Sequence, residues 1–146
     1  MYQGSIFLYI WVMANCNVKL LSMNGRGLQN VQKRAKAFEY VADKADIIFL
    51  QEMHCLPNDY WESEWRGEMI LSYGSNDSRG VGILLSKDLE YKIEERIIDE
   101  NGRYIMLRCM IQGTKYVLLN VYAPNKEKDH ELFLETIFSR VDQICE

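Results

Sequence analysis

The sequence lacks the features of a disulfide-stapled, strongly cationic or repetitive protein. Its four cysteines include no C-x-x-C pair, and 146 residues that are 48% hydrophobic can bury a core without disulfides. The net charge of -4 lacks the excess of Lys and Arg by which many domains adhere to nucleic acid. No internal repeat, low-complexity tract or linker interrupts the chain. We therefore expect one globular domain, or a piece of one, in a reduced intracellular compartment, either the nucleus or the cytoplasm.

The chain also lacks an apolar run of membrane-spanning length. Residues 6–14 form a run of nine apolar positions, whereas a membrane helix needs about 20. A signal peptide is disfavoured because no Lys or Arg precedes Lys19 and Ala14-Asn15-Cys16 is a poor cleavage site. We interpret residues 1–17 as an apolar leader of unclear role, either an extra edge strand or a poorly specified extension. Residues 18–146 would form the domain, with no membrane partner.

The charge is unevenly distributed along the chain. Residues 1–45 carry six basic and two acidic side chains, so the remainder is strongly acidic. An anionic partner is therefore expected to meet the N-terminal third. The basic residues of this third are Lys19, Arg26, Lys33, Arg34, Lys36 and Lys44.

The first part of the domain reads as a strand, a helix and a strand. Residues 18–23 and 47–50 are short apolar runs typical of buried strands, and residues 32–45 repeat apolar positions at helical spacing. Such a βαβ unit pairs its two strands in parallel. Asn24 and Glu52, which follow the two strands, would then lie together at the carboxyl edge of the sheet, where open α/β sheets bind ligands.

The rest of the chain predicts antiparallel strands and a final helix. Turn residues separate strand-like segments at 69–73, 80–86, 89–98, 104–111 and 116–122. A stripe on the last helix contains Leu134, Ile137, Phe138, Val141 and Ile144. We expect a sheet covered by helices on one face, with an equally apolar second face that these residues leave bare.

Two strand-end residues are candidates for chemistry, although each also has a plain structural interpretation. A carboxylate that directly follows a buried strand, as Glu52 does, suits Mg²⁺, which takes one or two carboxylates, several waters and a substrate phosphate. The alternative is a solvated glutamate. Asn24 could orient a metal-bound water or a phosphate oxygen, or it could simply form a turn before Gly25.

Other polar residues give weaker indications. Arg26 lies between two glycines and is first of all a turn residue, although it could reach a phosphate. Tyr122 ends a strand and could donate to a phosphate, or cap the core with its hydroxyl at the surface. His54 could support the site through Glu52, whereas His130 is expected to be solvated. The absence of an H-x-x-x-H spacing argues against zinc.

Taken in order, the motifs "LLSMNGRGL", "DIIFLQEMH", "SRGVGILLS", "NGRYIMLR" and "LLNVYAPN" resemble the endonuclease/exonuclease/phosphatase superfamily. The resemblance is strongest to the apurinic-like endonuclease domain of LINE-type retrotransposons, and it covers residues 18–145. It implies the first half of a four-layer α/β sandwich with mixed, largely antiparallel sheets, each half contributing one sheet. Gly25 and Met53 depart from the usual pattern in tolerable ways.

The resemblance also implies roles for individual residues. Asn24 matches the first active-site Asn, Glu52 the principal ligand of Mg²⁺ (or Mn²⁺), and Tyr122 the Tyr at the scissile phosphate. Asn125 matches the Asn after the Ala-Pro turn, with a mainly structural role. The family's G-D-x-N and S-D-H segments would lie beyond Glu146, so we expect this chain to be nearly or wholly inactive without a C-terminal half.

Three hypotheses follow. The first is part of a Mg²⁺-dependent phosphodiesterase, a DNA endonuclease domain of retrotransposon origin. The second is a non-catalytic retroelement remnant or interaction module. The third keeps the fold but exchanges DNA for a small phosphorylated molecule or lipid.

Overall fold

The computed structural model describes residues 9–12 and 17–146. Within these residues eight strands and two α-helices are joined by turns and short 3-10 segments. In chain order the elements are β1 (Tyr9–Val12), β2 (Lys19–Asn24), α1 (Val31–Ala42), β3 (Ile47–Gln51), β4 (Glu68–Ser72), β5 (Val81–Leu85), β6 (Tyr91–Ile98), β7 (Tyr104–Ile111), β8 (Thr114–Val121) and α2 (His130–Cys145).

The first sheet has five strands in the order β1-β2-β3-β5-β4. β2 and β3 are parallel, as the βαβ pattern predicts, and the other pairs are antiparallel. β5 lies in the interior of the sheet, and all five of its residues are buried, which agrees with its unbroken apolar sequence. α1 begins at Val31 because the side chain of Asn30 accepts from the backbone N–H of Lys33 at 2.9 Å.

The second sheet contains β6, β7 and β8, all antiparallel. β7 is its central strand and is almost entirely buried, because it has a strand on each side and a covering layer on each face. β6 alternates between half-buried and exposed residues along its whole length, as a strand with one solvated face does. The mixed, largely antiparallel character expected from the sequence is confirmed.

The two sheets pack face to face, which corrects the expectation of one sheet with a bare apolar face. Ile47 and Ile83 of the first sheet share a buried cluster with Ile105 and Leu107 of the second. α1 covers the other face of the first sheet through Phe38, and α2 covers the second sheet. The described residues therefore build all four layers, helix, sheet, sheet and helix. They supply strands to both sheets, which corrects the expectation that the first half contributes only one sheet.

The face that α2 buries is narrower than its sequence stripe predicts. Ile137 and Ile144 are buried against β7, whereas Leu134 is 47% and Phe138 64% exposed. The expectation that all five stripe residues pack inward is therefore wrong for Leu134 and Phe138. A helix resting on a three-stranded sheet covers it along one line, so side chains at the flanks of the stripe stay outside.

The leader contributes one edge strand to the described structure. Tyr9–Val12 pairs antiparallel with β2, from Tyr9 opposite Ser22 to Val12 opposite Lys19, as one of the two interpretations of residues 1–17 expects. Residues 1–8 and 13–16 lie outside the described part. No helix within the described residues is both long enough and apolar enough to cross a membrane.

Candidate active site

The candidate site is built on the paired ends of β2 and β3. Asn24 and Gln51 are register partners and the last residues of their strands, and Glu52 follows directly. The chain after Asn24 stays beside the chain after Gln51, because the backbone N–H of Gly25 donates to the Gln51 carbonyl and that of Gly27 to the Glu52 carbonyl, both at 2.7 Å. The sequence expectation that Asn24 and Glu52 share the carboxyl edge of the sheet agrees with this geometry.

Tyr122 reaches this edge from the second sheet. It follows β8, and its hydroxyl donates to Oε1 of Glu52 at 2.7 Å. The Glu52 backbone has a φ of 49°, in the left-handed region that a non-glycine residue seldom adopts and that is concentrated at functional sites. The two sheets thus meet at the Glu52 carboxylate, with one of its oxygens bound by a phenol.

The surroundings of Tyr122 keep its hydroxyl protonated. Burial, followed by the hydrogen bond and charge of Glu52, raises the pKa of Tyr122 to about 12, and Arg103 opposes this rise. The Arg103 guanidinium lies 5.3 Å from the Tyr122 ring centroid and donates to the Ala123 carbonyl at 3.2 Å. At neutral pH, Tyr122 is therefore a hydrogen-bond donor and not a base.

Asn24 and Arg26 form a local turn. Oδ1 of Asn24 accepts from the backbone N–H of Arg26 at 2.9 Å, which is the turn-forming role that the residue type favours. Arg26 is exposed and has a φ of 48°. The amide oxygen of Asn24 thus takes part in the turn, and the side chain keeps its NH₂ donors and a second oxygen lone pair for a ligand.

The remaining candidates lie around these three residues. Asn125 is exposed in the turn after β8, and its side chain hydrogen-bonds with Tyr122 and lowers the pKa of the phenol. His54 packs beside Gly27, since a Cβ on that glycine would come within 2.8 Å of Nδ1. His130 is not simply solvated as expected, because its Nε2 lies 2.6 Å from the Pro124 carbonyl.

The sequence reasoning missed two amides beneath the site, the buried Asn120 and the half-buried Gln51. Asn120 is only 2% exposed, and its Nδ2 donates to the carbonyls of Leu50 and Gly82. Its Oδ1 accepts from Nε2 of Gln51 at 2.8 Å. A polar residue in the apolar run "LLNVY" was the available signal, because a buried amide needs partners.

The cationic surface of the N-terminal third is smaller than its sequence predicts. Arg34 is 5% exposed and its guanidinium pairs with Glu64 at 2.6 Å, so this residue does not contribute to the basic surface expected of the N-terminal third. Nζ of Lys33 donates to the carbonyls of Arg26 and Gly27, at 3.0 and 2.7 Å. These two charges stabilise α1 and the loop that follows Asn24.

The donor chemistry at Glu52 fits a hard divalent cation held by one protein carboxylate. Among the described residues, no group of three or more His, Cys, Asp or Glu side chains could hold a metal ion. Glu52 is half-buried at the sheet edge, and an oxygen donor in such a position suits Mg²⁺, which keeps several waters and binds substrate phosphate oxygens.

The fold is shared with solved structures of TDP2. A humanized D. rerio TDP2 matches with a TM-score of 0.60 and 21% identity, covering 87% of this chain and 56% of that one. A truncated Caenorhabditis elegans TDP2 matches with a TM-score of 0.56 and 19% identity, covering 87% and 56%. D. rerio TDP2 complexed with single-strand DNA product matches with a TM-score of 0.57 and 20% identity, covering 84% and 54%.

A curated relative links the sequence to transposons. The chain is 25% identical over 130 residues to the "Transposon TX1 uncharacterized 149 kDa protein" of Xenopus laevis, which covers 87% of this chain. It spans only 10% of the length of that protein and just over half of the TDP2 structures. No protein-family model matches the chain. The resemblance to the superfamily and to a transposon protein is thereby confirmed.

Proposed function

We propose that these residues form part of a Mg²⁺-dependent phosphodiesterase domain of retrotransposon origin that acts on DNA. The observation that carries the proposal is the Tyr122 hydroxyl bound to the Glu52 carboxylate at the meeting point of the two sheets. The similarity to a transposon protein supports the origin, and the likeness to a structure solved with a single-strand DNA product supports the substrate class.

Each site residue has a chemical task in this proposal. Glu52 would hold the cation through its carboxylate, and the bound ion would supply Lewis-acid polarisation of a phosphate oxygen. Tyr122, kept protonated by its raised pKa, would turn its single O–H from Glu52 to the phosphate when substrate binds. Asn24 would donate through its NH₂ group while its oxygen accepts from the Arg26 backbone. Arg26 and Asn125 are exposed beside the site and would contact the DNA backbone.

We also propose that the chain alone is nearly or wholly inactive. Neither histidine among the described residues contacts Glu52 in the structure, and His130 is held by the Pro124 carbonyl. A positioned general base typically contributes about 10²–10⁴-fold to the rate, so its loss would leave little hydrolysis. A further segment, supplying the Asp, Asn and His of the family motifs, would complete the site.

An open edge beside the site suits such a segment. Within the described residues β8 pairs only with β7, and its Val117 and Leu119 are 37% and 36% exposed. A cleft of about 360 Å³ lies between this strand and the strands β2 and β3, bordered by Leu20 and Phe49. A strand added along the edge of β8 would extend the second sheet and cover these apolar side chains.

Metal binding by the purified chain tests the role of Glu52. We expect Mn²⁺, followed by electron paramagnetic resonance, to bind weakly, with binding lost in Glu52→Ala and kept in Glu39→Ala. Glu39 is a suitable control because it is an exposed carboxylate on α1, away from the site. Equal Mn²⁺ binding by native chain and Glu52→Ala would remove Glu52 from the metal site.

A plasmid-nicking assay with Mg²⁺ tests activity and substrate class. We expect no nicking by this chain alone. Nicking that Glu52→Ala abolishes would contradict the proposed inactivity while supporting the catalytic role of Glu52. Hydrolysis of a phosphoinositide or a nucleotide in preference to DNA would favour the third hypothesis, and absence of both metal and DNA binding would favour a non-catalytic remnant.

A further inference from the structure

A pair of amides, one buried and one half-buried, joins the two sheets beneath the candidate site. Asn120 of β8 donates from Nδ2 to the Leu50 carbonyl at 2.9 Å and to the Gly82 carbonyl at 2.8 Å. Gln51 donates from Nε2 to Oδ1 of Asn120 at 2.8 Å and to Oγ of Ser22 at 3.1 Å. One side chain of the second sheet is therefore bonded to three neighbouring strands of the first, β3 and β5 directly and β2 through Gln51.

Asn120 occupies a buried position on β8 that an apolar side chain could fill without needing hydrogen bonds. On β8 the inward-facing residues Leu118 and Asn120 are both buried, and Leu118 packs in the cluster between the sheets. Burial of an amide is unfavourable unless its hydrogen bonds are made, and both ends of the Asn120 amide are bonded. Apolar contacts have little directionality, whereas bonds to fixed carbonyls specify one register of β8 over β3.

The amide pair is adjacent in sequence to the two residues that meet at the site. Asn120 precedes Tyr122 by two positions on β8, and Gln51 immediately precedes Glu52 on β3. Displacement of β8 relative to β3 would separate the Tyr122 hydroxyl from the Glu52 carboxylate, which are now 2.7 Å apart. The same bonds that tie the sheets together therefore control this distance.

We propose that Asn120 and Gln51 are positioning residues that hold β8 in the register that places the Tyr122 hydroxyl on Glu52. The functional importance of this role rests on the proposed function, because it assumes that Tyr122 and Glu52 act on the phosphate together. The contact joins two side chains of this chain, so the positioning role can be measured by unfolding, in an experiment that uses neither metal nor DNA.

A double-mutant cycle between Asn120 and Tyr122, made in the full 146-residue chain, measures how far the contact of Tyr122 with Glu52 depends on Asn120. Tyr122→Phe removes only the hydroxyl, and we expect it to lower the urea midpoint of the native chain. In the Asn120→Leu background we expect Tyr122→Phe to cause no further shift, because the hydroxyl no longer reaches Glu52. Equal shifts in both backgrounds, or no shift in the native background, would overturn the proposal.

A second variant tests the proposal if the first does not fold. If Asn120→Leu does not fold, Gln51→Ala replaces it, because Gln51 is only half-buried and Asn120 keeps both bonds to backbone carbonyls. We then expect a smaller Tyr122→Phe shift than in the native chain, and an undiminished shift would refute the positioning role.

Leu118→Ala is the matched control on the same strand. It loosens the packing between the sheets without removing a hydrogen bond, and Tyr122→Phe should retain its full shift in that background. Loss of the shift there would show that any weakening of β8 has the same effect, and would overturn a specific role for the amides. Failure of Mn²⁺ binding would count against the proposed function and leave this cycle unaffected.

Discussion

Replacement of Arg34 by methionine would break the ion pair that joins α1 to the segment after β3. The Arg34 guanidinium donates to both oxygens of Glu64, at 2.6 and 2.8 Å, and to the Leu28 carbonyl at 2.9 Å. It also lies 4.5 Å from the centroid of the Trp61 ring. Methionine retains much of the aliphatic packing and removes the charge and all of these donors.

The size of the expected loss of stability depends on how well water can replace the hydrogen bonds that Arg34 makes to its partners. The Arg34 side chain is 7% exposed, whereas that of Glu64 is 37% exposed. Once Arg34 is replaced, water can hydrate the Glu64 carboxylate, and this hydration reduces the loss of stability. A hydrogen bond to a charged group contributes about 1.5–3 kcal/mol, and an unpaired buried carbonyl costs about 1–3 kcal/mol. We therefore expect Arg34→Met to lower the free energy of unfolding by about 3 kcal/mol at pH 7, within the range for broken buried pairs.

The same pair predicts a dependence on pH. The hydrogen bond from Arg34 holds the pKa of the Glu64 carboxyl below its ordinary value of 4.5, against the opposing effect of burial. A depressed pKa adds stability above the ordinary value, and this stability is lost as the pH falls through the lower, folded-state pKa. The difference between native chain and Arg34→Met should therefore shrink as the pH falls below 4.5.

Urea unfolding followed by tryptophan fluorescence would measure both effects, since Trp61 contacts the pair. Arg96→Met is the control, because the Arg96–Glu68 pair has side chains 45% and 34% exposed and should contribute less than about 1 kcal/mol. A loss for Arg34→Met no greater than that of the control would refute the reasoning. A difference that stays constant down to pH 3 would refute its electrostatic part.

Two further predictions concern backbone space and alkaline stability. Gly67→Ala should destabilise the fold by more than about 3 kcal/mol, because the new Cβ would lie 1.8 Å from the Leu85 carbonyl oxygen. At Gly113 an added Cβ meets nothing within 4 Å, so Gly113→Ala should cost only the strain of a φ of 82°, about 1 kcal/mol. Similar unfolding midpoints for the two variants would contradict this expectation. Burial, and then Glu52, raises the pKa of Tyr122 from 10 to about 12. Because the folded state favours the protonated phenol, Tyr122 contributes stability that is present below pH 10 and lost as the pH rises towards 12. Tyr122→Phe should lose less stability over that interval, and identical alkaline profiles would count against the raised pKa.

The sequence predicted the strands well but not which sheet each strand joins. Periodicity reports how buried a segment is, so residues 104–111 were expected as a strand and Tyr104–Ile111 is observed. It does not report partners. β5 enters the first sheet between β3 and β4, while β6, β7 and β8 form a sheet of their own. A segment buried on both faces, such as β5 or β7, fits either sheet by its pattern alone. The expectation of a bare sheet face arose from this ambiguity.

The site was predictable at its strand ends and unpredictable at its supports. Glu52 and Asn24 follow apolar runs directly, and strand ends that pair in parallel must meet, so their proximity follows from local pattern. The bond between Tyr122 and Glu52 joins residues 70 positions apart, and only the packing of one sheet on the other brings them together. Asn120 shows why such supports escape a reading of one sequence. In the sequence alone, Asn120 interrupts an apolar strand and argues against burial of that position. In the structure its side chain donates to the carbonyls of Leu50 and Gly82, and these bonds specify how the two sheets are aligned.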